Sequence, residues 1–108
     1  QYEQIFPAIA RSPIRQVSVE CVNSRVPLDL LKLLDGKIVQ AGVIDVATDR
    51  VETPDEIVRT IESLIRVVPK ETIIASTNCG MAPMRRDIAE AKLNALGAGA
   101  RLARERLG

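Results

Sequence analysis

One stretch decides how this chain folds: Thr72-Ile-Ile-Ala-Ser-Thr-Asn-Cys-Gly-Met-Ala-Pro-Met84. Its β-branched start predicts a short strand, and Asn78-Cys79-Gly80 predicts a turn. A long Ala- and Leu-rich helix is predicted to follow, from about Pro83 to Arg106. Because α/β proteins keep their active sites where strands give way to helices, the thiol of Cys79 is a candidate functional group.

Two further strands, separated by helices, precede this stretch. Gln16 to Cys21 alternates polar and apolar residues, which is typical of a strand with one buried face. Lys37 to Ile44 is nearly all apolar, which is typical of a strand buried on both faces of a parallel sheet. Helices are predicted for residues 2–10, 27–34 and 53–68. A helix followed by three strand–helix units predicts an α/β fold with parallel strands.

The helix boundaries carry their own signals. Thr53-Pro54-Asp55-Glu56 predicts a helix start, since Thr53 can cap the helix and Glu56 can reach back. Pro7 argues against an early start of the first helix. The inner face of the last helix is predicted to be mostly Ala, with four larger apolar residues: Ile88, Leu93, Leu96 and Leu102.

Composition excludes several classes of function. The net charge of +1 and the aromatic content of 2% argue against a nucleic-acid partner. No apolar run reaches the roughly 20 residues that cross a bilayer, so no membrane partner is expected. The chain has no histidine, the commonest general base and metal ligand. Its two cysteines indicate a reducing, cytoplasmic setting, and its start at Gln1 without a Met suggests a segment of a longer chain.

Polar residues lie at the ends of all three predicted strands: Glu20, Asp45 and Asn78-Cys79. The carboxyl ends of parallel strands meet at one edge of a sheet, where such folds place their active sites. With its apolar neighbours covered by helices, Glu20 is expected to face inward. Cys79 is expected to be exposed and close to a helix N-terminus, which favours a thiolate.

Each of these residues also has a purely structural interpretation. Glu20 can pair with Arg25 or cap a helix. Asp45 can form a turn or cap a helix, and Asn78 can simply favour its turn. Cys79 can be an inert thiol, and Cys21, on the apolar strand face, is predicted to be a small buried residue.

A thiolate and a carboxylate are both zinc ligands, so Glu20 and Cys79 could share a metal ion. Two ligands do not complete a zinc site. Because the chain lacks histidine, the remaining ligands would have to come from elsewhere.

These residues lie within four segments that resemble the C-terminal part of the cobalamin-independent methionine synthase family. The segments keep their order and spacing over nearly the whole chain: residues 17–21, 42–46, 51–56 and 77–84. The family's catalytic domain is a (β/α)₈ TIM barrel with zinc at its C-terminal mouth. The resemblance implies that residues 1–108 form a partial barrel, a helix followed by the last three βα units.

In that family a His-x-Cys pair, a Glu and a later Cys hold the zinc. The resemblance implies that Glu20 takes the place of the Glu and Cys79 that of the later Cys, while the His-x-Cys pair has no counterpart here. It also assigns Ser24, Asp45 and Asn78 to substrate binding. The missing ligands imply a partner, either the rest of the barrel or a second copy of the chain.

The implied activity is methyl transfer to a homocysteine-like thiol, giving methionine, as in the 5-methyltetrahydropteroyltriglutamate–homocysteine S-methyltransferases. The larger folate-dependent members have Asp-x-His where this chain has Asp45-Val46-Ala47, and Asp where it has Asn78. The short, core-type members are more similar. The isolated segment is expected to be inactive.

Three alternatives remain open from the sequence. Related enzymes transfer alkyl groups to another thiol, coenzyme M. A partial barrel with two open sheet edges could instead be a non-catalytic module that oligomerises. Finally, Cys79 could act as a nucleophile or redox group without a metal.

Overall fold

A computed structural model of the chain describes residues 2–22 and 28–108. The helices are α1 (Tyr2–Arg11), α2 (Pro54–Ile65) and α3 (Arg86–Leu107), and two 3₁₀ helices span Leu28–Leu34 and Lys70–Thr72. The strands β1 (Gln16–Glu20), β2 (Ile38–Ile44) and β3 (Ile73–Thr77) form one parallel sheet in the order β1-β2-β3. The predicted fold class is confirmed: a helix is followed by three parallel strand–helix units, arranged as in part of a TIM barrel.

The two faces of the sheet differ in polarity and in cover. Val19, Val39 and Ala41 belong to the buried core, which also contains apolar residues of α2 and α3. On the opposite face, Ser18 and Glu20 are exposed. The strand alternation in the sequence therefore corresponds to an apolar face under the helices and a more polar face without helical cover.

A bulge interrupts β2 near its end. Gly42 pairs with Ser76, but the next pair along the strands is Ile44 with Thr77. Val43 is thus the extra residue on β2. Both Val43 and Ile44 are buried, so the bulge places two consecutive apolar side chains in the core.

Helix α2 begins as its sequence predicts. The side chain of Thr53 accepts a hydrogen bond of 3.1 Å from the backbone N–H of Glu56, and Pro54 occupies the first turn. One side of the helix is apolar and belongs to the core, with Ile57, Ile61 and Leu64 buried. The helix therefore has both a capped start and a core-facing side.

The first helix starts earlier than Pro7 suggests. Helix α1 begins at Tyr2 and runs through Pro7, with Phe6 buried against the core. It packs on the 3₁₀ helix Leu28–Leu34, whose leucines recur at every third residue. That spacing matches three residues per 3₁₀ turn, so the segment buries one side without forming an α-helix.

Helix α3 corrects two predictions. It begins at Arg86 rather than near Pro83, because the preceding residues form a turn in which the Met84 N–H bonds to the Met81 carbonyl. Leu93, predicted to lie on the inner face, is 50% exposed, while Lys92 beside it is fully buried. Apart from Lys92, the buried residues of α3 are small, which allows close contact with α2: Ala95, Gly99 and Ala103. No helix of the described residues is long and apolar enough to cross a membrane.

Candidate functional site

An open cleft of about 450 Å³ lies on the polar side of the sheet, at the carboxyl ends of the strands. Glu20 and Cys79 both line it, as the strand ends predicted. The other lining residues are mostly polar: Ser18, Val19, Gln40, Ser76, Thr77, Asn78 and Gly80. The cleft therefore brings together a carboxylate and a thiol that are far apart in the sequence.

The strand register explains why Glu20 faces this cleft. Glu20 pairs with Gly42, which in turn pairs with Ser76, so these three positions share one face of the sheet. Val19 and Cys21 point to the other side and pack against the core. Glu20 is exposed at the end of β1, and its neighbour Gly42 adds no side chain beside it.

Cys79 follows β3 in a loop and is exposed. Its backbone carbonyl accepts a hydrogen bond of 2.9 Å from the Thr77 hydroxyl, which fixes the loop next to the strand end. The expected neighbouring helix N-terminus is absent from this position, since α3 begins only at Arg86. The dipole of a helix acts mainly within its first turn, so α3 does not extend this effect to Cys79.

Asn78 connects the end of β3 to the end of β2. Its backbone N–H donates to the Ile44 carbonyl over 2.9 Å, and its side-chain oxygen accepts from the Val46 N–H over 3.1 Å. A Cβ placed on Gly42 would lie 2.5 Å from the Cα of Asn78. The loop that carries Cys79 is therefore seated directly on a glycine of the neighbouring strand.

Asp45 is buried and takes part in a turn. Its carboxylate accepts a hydrogen bond of 2.9 Å from the Ala47 N–H, and its own N–H donates to Glu52 over 2.7 Å. It lines a separate cavity of about 420 Å³, together with Arg50 and Glu56. The turn-forming interpretation is realised, and the predicted contact of Asp45 with substrate stays a prediction.

The structure does not bear on two other residues from the sequence analysis. Ser24, assigned to substrate binding by resemblance, lies outside the described residues. The same is true of Arg25, the alternative ion-pair partner of Glu20.

A buried ion pair beside the site escaped sequence reasoning. Lys92 is 0% exposed and Glu52 7% exposed, and Lys92 Nζ lies 2.9 Å from Glu52 Oε1. A Lys within a helix is normally assigned to the solvent side, which hid this role. The available signal was spacing, because Lys92 falls on the same helical side as Ala95 and Gly99.

Burial and ion pairing shift two pKa values near the strand ends. Burial raises the pKa of the Cys21 thiol from 9.0 to about 11, although a hydrogen bond with the Gly42 backbone opposes this. Cys21 packs against the core from the apolar strand face as predicted, but it is half-buried and not fully buried. Hydrogen bonds from Arg50 lower the pKa of the Glu56 carboxyl from 4.5 to about 2.

The donor chemistry of the cleft suits zinc in part. A Glu carboxylate and a Cys thiol are common zinc ligands, and both are accessible from solvent here. Within residues 2–22 and 28–108, no group of three or more His, Cys, Asp or Glu side chains is placed to hold a metal ion. The cleft therefore offers two donors toward a larger ligand set.

A comparison with known protein families identifies the family to which this chain belongs. Residues 1–101 match the family described as "Cobalamin-independent synthase, Catalytic domain". The chain belongs to this family. The match extends from α1 into α3 and so includes the whole sheet and the cleft.

Individual members of the cobalamin-independent synthase family are similar in sequence and structure. A methionine synthase from Pyrococcus abyssi is 35% identical over 95 residues, which are 87% of this chain and 28% of that protein. A 2-hydroxypropyl-CoM lyase from Xanthobacter autotrophicus is 40% identical over 67 residues, 62% of this chain and 18% of the lyase. A B12-independent methionine synthase from Shewanella sp. W3-18-1, solved in complex with selenomethionine, superposes with a TM-score of 0.94 and 44% identity.

This chain corresponds to only part of each of these relatives. The superposition covers 98% of this chain but 31% of the Shewanella protein. The shared portion therefore includes the parallel sheet and the helices α1, α2 and α3.

Proposed function

We propose that this chain supplies Glu20 and Cys79 as two ligands of a zinc site at which an alkyl group is transferred to a substrate thiol. The observation that carries the proposal is the position of both side chains in one solvent-accessible cleft at the carboxyl ends of the parallel strands. Membership of the cobalamin-independent synthase family supports it. The missing ligands would come from the rest of the barrel, of which residues 1–108 would be the C-terminal segment, or from a second copy.

Bound at this cleft, zinc would lower the pKa of a substrate thiol and hold it as a thiolate. Glu20 and Cys79 would supply negative donor atoms to the metal. Ser18, Gln40 and Ser76 offer hydrogen-bonding groups along the cleft wall, where a polar amino-acid substrate could be oriented. Asn78 holds the Cys79 loop against β2, and this fixes one ligand relative to the other.

Methyl transfer to a homocysteine-like thiol, giving methionine, is the first candidate reaction. It is supported by the methionine synthases among the relatives. Alkyl transfer involving a different thiol, coenzyme M, is the second candidate, supported by the 40% identity to the 2-hydroxypropyl-CoM lyase. As part of the same proposal we place the protein in the cytoplasm, where its free cysteines would stay reduced.

Metal content tests the ligand assignment. Zinc stoichiometry and Co²⁺ absorption would be measured on the longest native protein that carries this sequence, as wild type, Glu20→Gln and Cys79→Ser. We expect each substitution to weaken metal binding at least roughly tenfold, and Cys79→Ser to weaken the thiolate-to-Co²⁺ charge transfer, to which the cysteine of a His-x-Cys pair would still contribute. Cys21→Ser is the matched control, because that thiol packs against the core, and it should leave the spectrum unchanged. Unchanged metal binding in Cys79→Ser would overturn the proposal and favour a metal-free role for Cys79.

Product analysis then separates the candidate reactions. The same protein would be incubated with homocysteine or coenzyme M, each with a methyl or epoxyalkane donor, and the products identified by mass. Methionine formation that depends on Glu20 and Cys79 supports the first reaction, and alkylated coenzyme M supports the second. Residues 1–108 alone are expected to show little or no turnover, since they supply only part of the ligand set.

The sheet edges favour one non-catalytic alternative. Within the described residues, β1 and β3 each pair on one side only, so both leave a strand edge open. Open edges promote association between chains. Light scattering on residues 1–108 tests this: a stable oligomer without alkyl transfer supports a structural module, and a stable monomer contradicts it.

A further inference from the structure

Lys92 occupies a position that lysine rarely takes. It lies in α3 with 0% of its side chain exposed, and its ammonium group has three acceptors. Nζ donates to the Asp45 carbonyl over 2.9 Å, to the Arg50 carbonyl over 2.6 Å and to Glu52 Oε1 over 2.9 Å. All three acceptors belong to the segment 45–52 that connects β2 to α2. The Lys92 side chain therefore bonds to three residues of this one connection.

Glu52 completes this arrangement from the opposite direction. One carboxylate oxygen accepts from Lys92, and the other accepts from the Asp45 N–H over 2.7 Å. The backbone of Asp45 is therefore held at its N–H by Glu52 and at its carbonyl by Lys92. Buried charges of this kind are retained only where they are fully bonded, and here they fix the conformation of the turn.

The β2–α2 turn also holds the loop that carries Cys79. The Val46 N–H, one residue after Asp45, donates to the Asn78 side-chain oxygen over 3.1 Å. Asn78 immediately precedes Cys79. A continuous set of contacts thus runs from a buried helical lysine, through the β2–α2 turn, to the exposed thiol in the cleft.

We propose that Lys92, acting through Glu52 and the Asp45–Val46 turn, is a positioning residue for Cys79. Neither Lys92 nor Glu52 lines the cleft, so their effect on it is indirect. Lys92 determines where the Val46 N–H points, and this N–H determines where Asn78 and the thiol lie. The inference rests on the proposed role of Cys79 as a ligand, but the contacts can be tested without any metal or substrate.

The test uses residues 1–108 in a Cys21→Ser background, so that Cys79 is the sole thiol of the protein tested. The variant is Lys92→Met/Glu52→Met, which removes both charges together and leaves no carboxylate buried alone. Amide hydrogen exchange at Val46 and Asn78 and the rate of Cys79 alkylation by iodoacetamide are measured. We expect exchange at both amides to accelerate roughly tenfold or more, and the alkylation rate to change in parallel, while strand amides in β2 keep their protection.

Two control variants separate positioning from general destabilisation. Lys70→Met removes a lysine whose Nζ bonds the Leu107 and Gly108 carbonyls, away from the cleft. Ile61→Val trims the core without touching these contacts. Both controls should leave Val46 exchange and Cys79 alkylation at wild-type values. In Lys92→Arg, both rates should lie between those of wild type and those of the double variant.

A folded double variant with wild-type exchange at Val46 and Asn78 and wild-type alkylation of Cys79 would overturn the inference. If the double variant does not fold, Lys92→Gln, which keeps a donor for Glu52, takes its place under the same two outcomes. Because neither readout involves zinc or alkyl transfer, loss of the proposed function would leave this result intact. A positive result would likewise stand if Cys79 proved not to bind metal.

Discussion

Asn78 lies directly over Gly42, so close that a Cβ on Gly42 would come within 2.5 Å of the Asn78 Cα. The contact joins the end of β3 to the neighbouring strand. It leaves no room for a larger residue at the position of Gly42 in β2. It also fixes the height of the loop that carries Cys79 above the sheet. Sequence variation at Gly42 should therefore act on the cleft as well as on stability.

Gly42→Ala is expected to destabilise the fold by about 1–3 kcal/mol, because the obstructing atoms belong to the backbone and must be displaced. Urea denaturation measures the change. Gly97→Ala is the matched control, since a Cβ at Gly97 would meet nothing within 4 Å, and alanine there should stabilise α3 by about 0.5–1 kcal/mol. Equal stabilities for Gly42→Ala and wild type would contradict the packing described here.

Lys92→Met alone should cost about 3–5 kcal/mol of unfolding free energy, because it leaves Glu52 buried without its cation. Adding Glu52→Met should recover part of that loss, since it removes the carboxylate that Lys92→Met leaves buried without its cation. A double-mutant cycle from urea denaturation gives the coupling between the two side chains. Additive effects of the two substitutions would show that the pair does not act as a unit.

Thr53→Ala should lower the stability by about 1 kcal/mol, because it removes the side-chain acceptor of the Glu56 N–H at the start of α2. Ser63→Ala, later in the same helix, is the control. The Ser63 hydroxyl donates to the Arg59 carbonyl within the same helix, and alanine is the better helix former, so no loss is expected there. Thermal denaturation followed by circular dichroism compares the two variants.

The ion pair between Glu56 and Arg50 should make the stability of the fold depend on pH. Arg50 lowers the folded-state pKa of Glu56 from 4.5 to about 2, so the ionised carboxylate stabilises the fold above pH 4.5 and that contribution is lost as the pH falls toward 2. Glu56→Gln should flatten this part of the profile, and Arg50→Gln should do the same. High salt should shrink the difference, because Arg50 is largely exposed. Denaturation curves between pH 6 and pH 2 that coincide in shape for all three proteins would contradict the pairing.

The two thiols should differ in reactivity. With its pKa raised from 9.0 to about 11, Cys21 carries roughly a hundredfold less thiolate near neutral pH than an unperturbed thiol. In Cys79→Ser, iodoacetamide should therefore label the chain slowly, and the rate should climb with pH up to about 11. In Cys21→Ser, the exposed Cys79 should be labelled much faster. Rapid labelling of both variants at neutral pH would contradict the burial of Cys21.

Local sequence signals account for most of the fold. The alternation in β1, the apolar run of β2 and the Thr53-Pro54 start of α2 each correspond to an observed element, because each depends on short-range chemistry. The meeting of Glu20 and Cys79 was also predictable, since parallel strands bring their carboxyl ends to one edge. Within residues 2–22 and 28–108 no third metal-binding side chain joins them, so further ligands of the proposed zinc site could not be predicted from these residues.

The wrong assignments of buried side chains in α3 come from contacts between residues that are distant in the sequence. Lys92 could be buried only because Glu52 and two carbonyls of a distant turn bond to it, and nothing next to Lys92 in the sequence announces them. Leu93 was then assigned to the wrong side of the same helix. The start of α3 has a local cause instead: Pro83 marks a plausible helix start, but a turn from Met81 to Met84 delays α3 to Arg86.

The extra residue at Val43 lets β2 bury two consecutive side chains while its later residues keep the faces that the ladder gives them. Removing Val43 would restore an unbroken ladder in which Gly42 still pairs with Ser76 and Ile44 with Thr77, so Ile44 would keep its orientation and the core would lose one buried side chain. A single-codon deletion at Val43 should therefore act like a large-to-small substitution in the core and preserve the two faces of the strand.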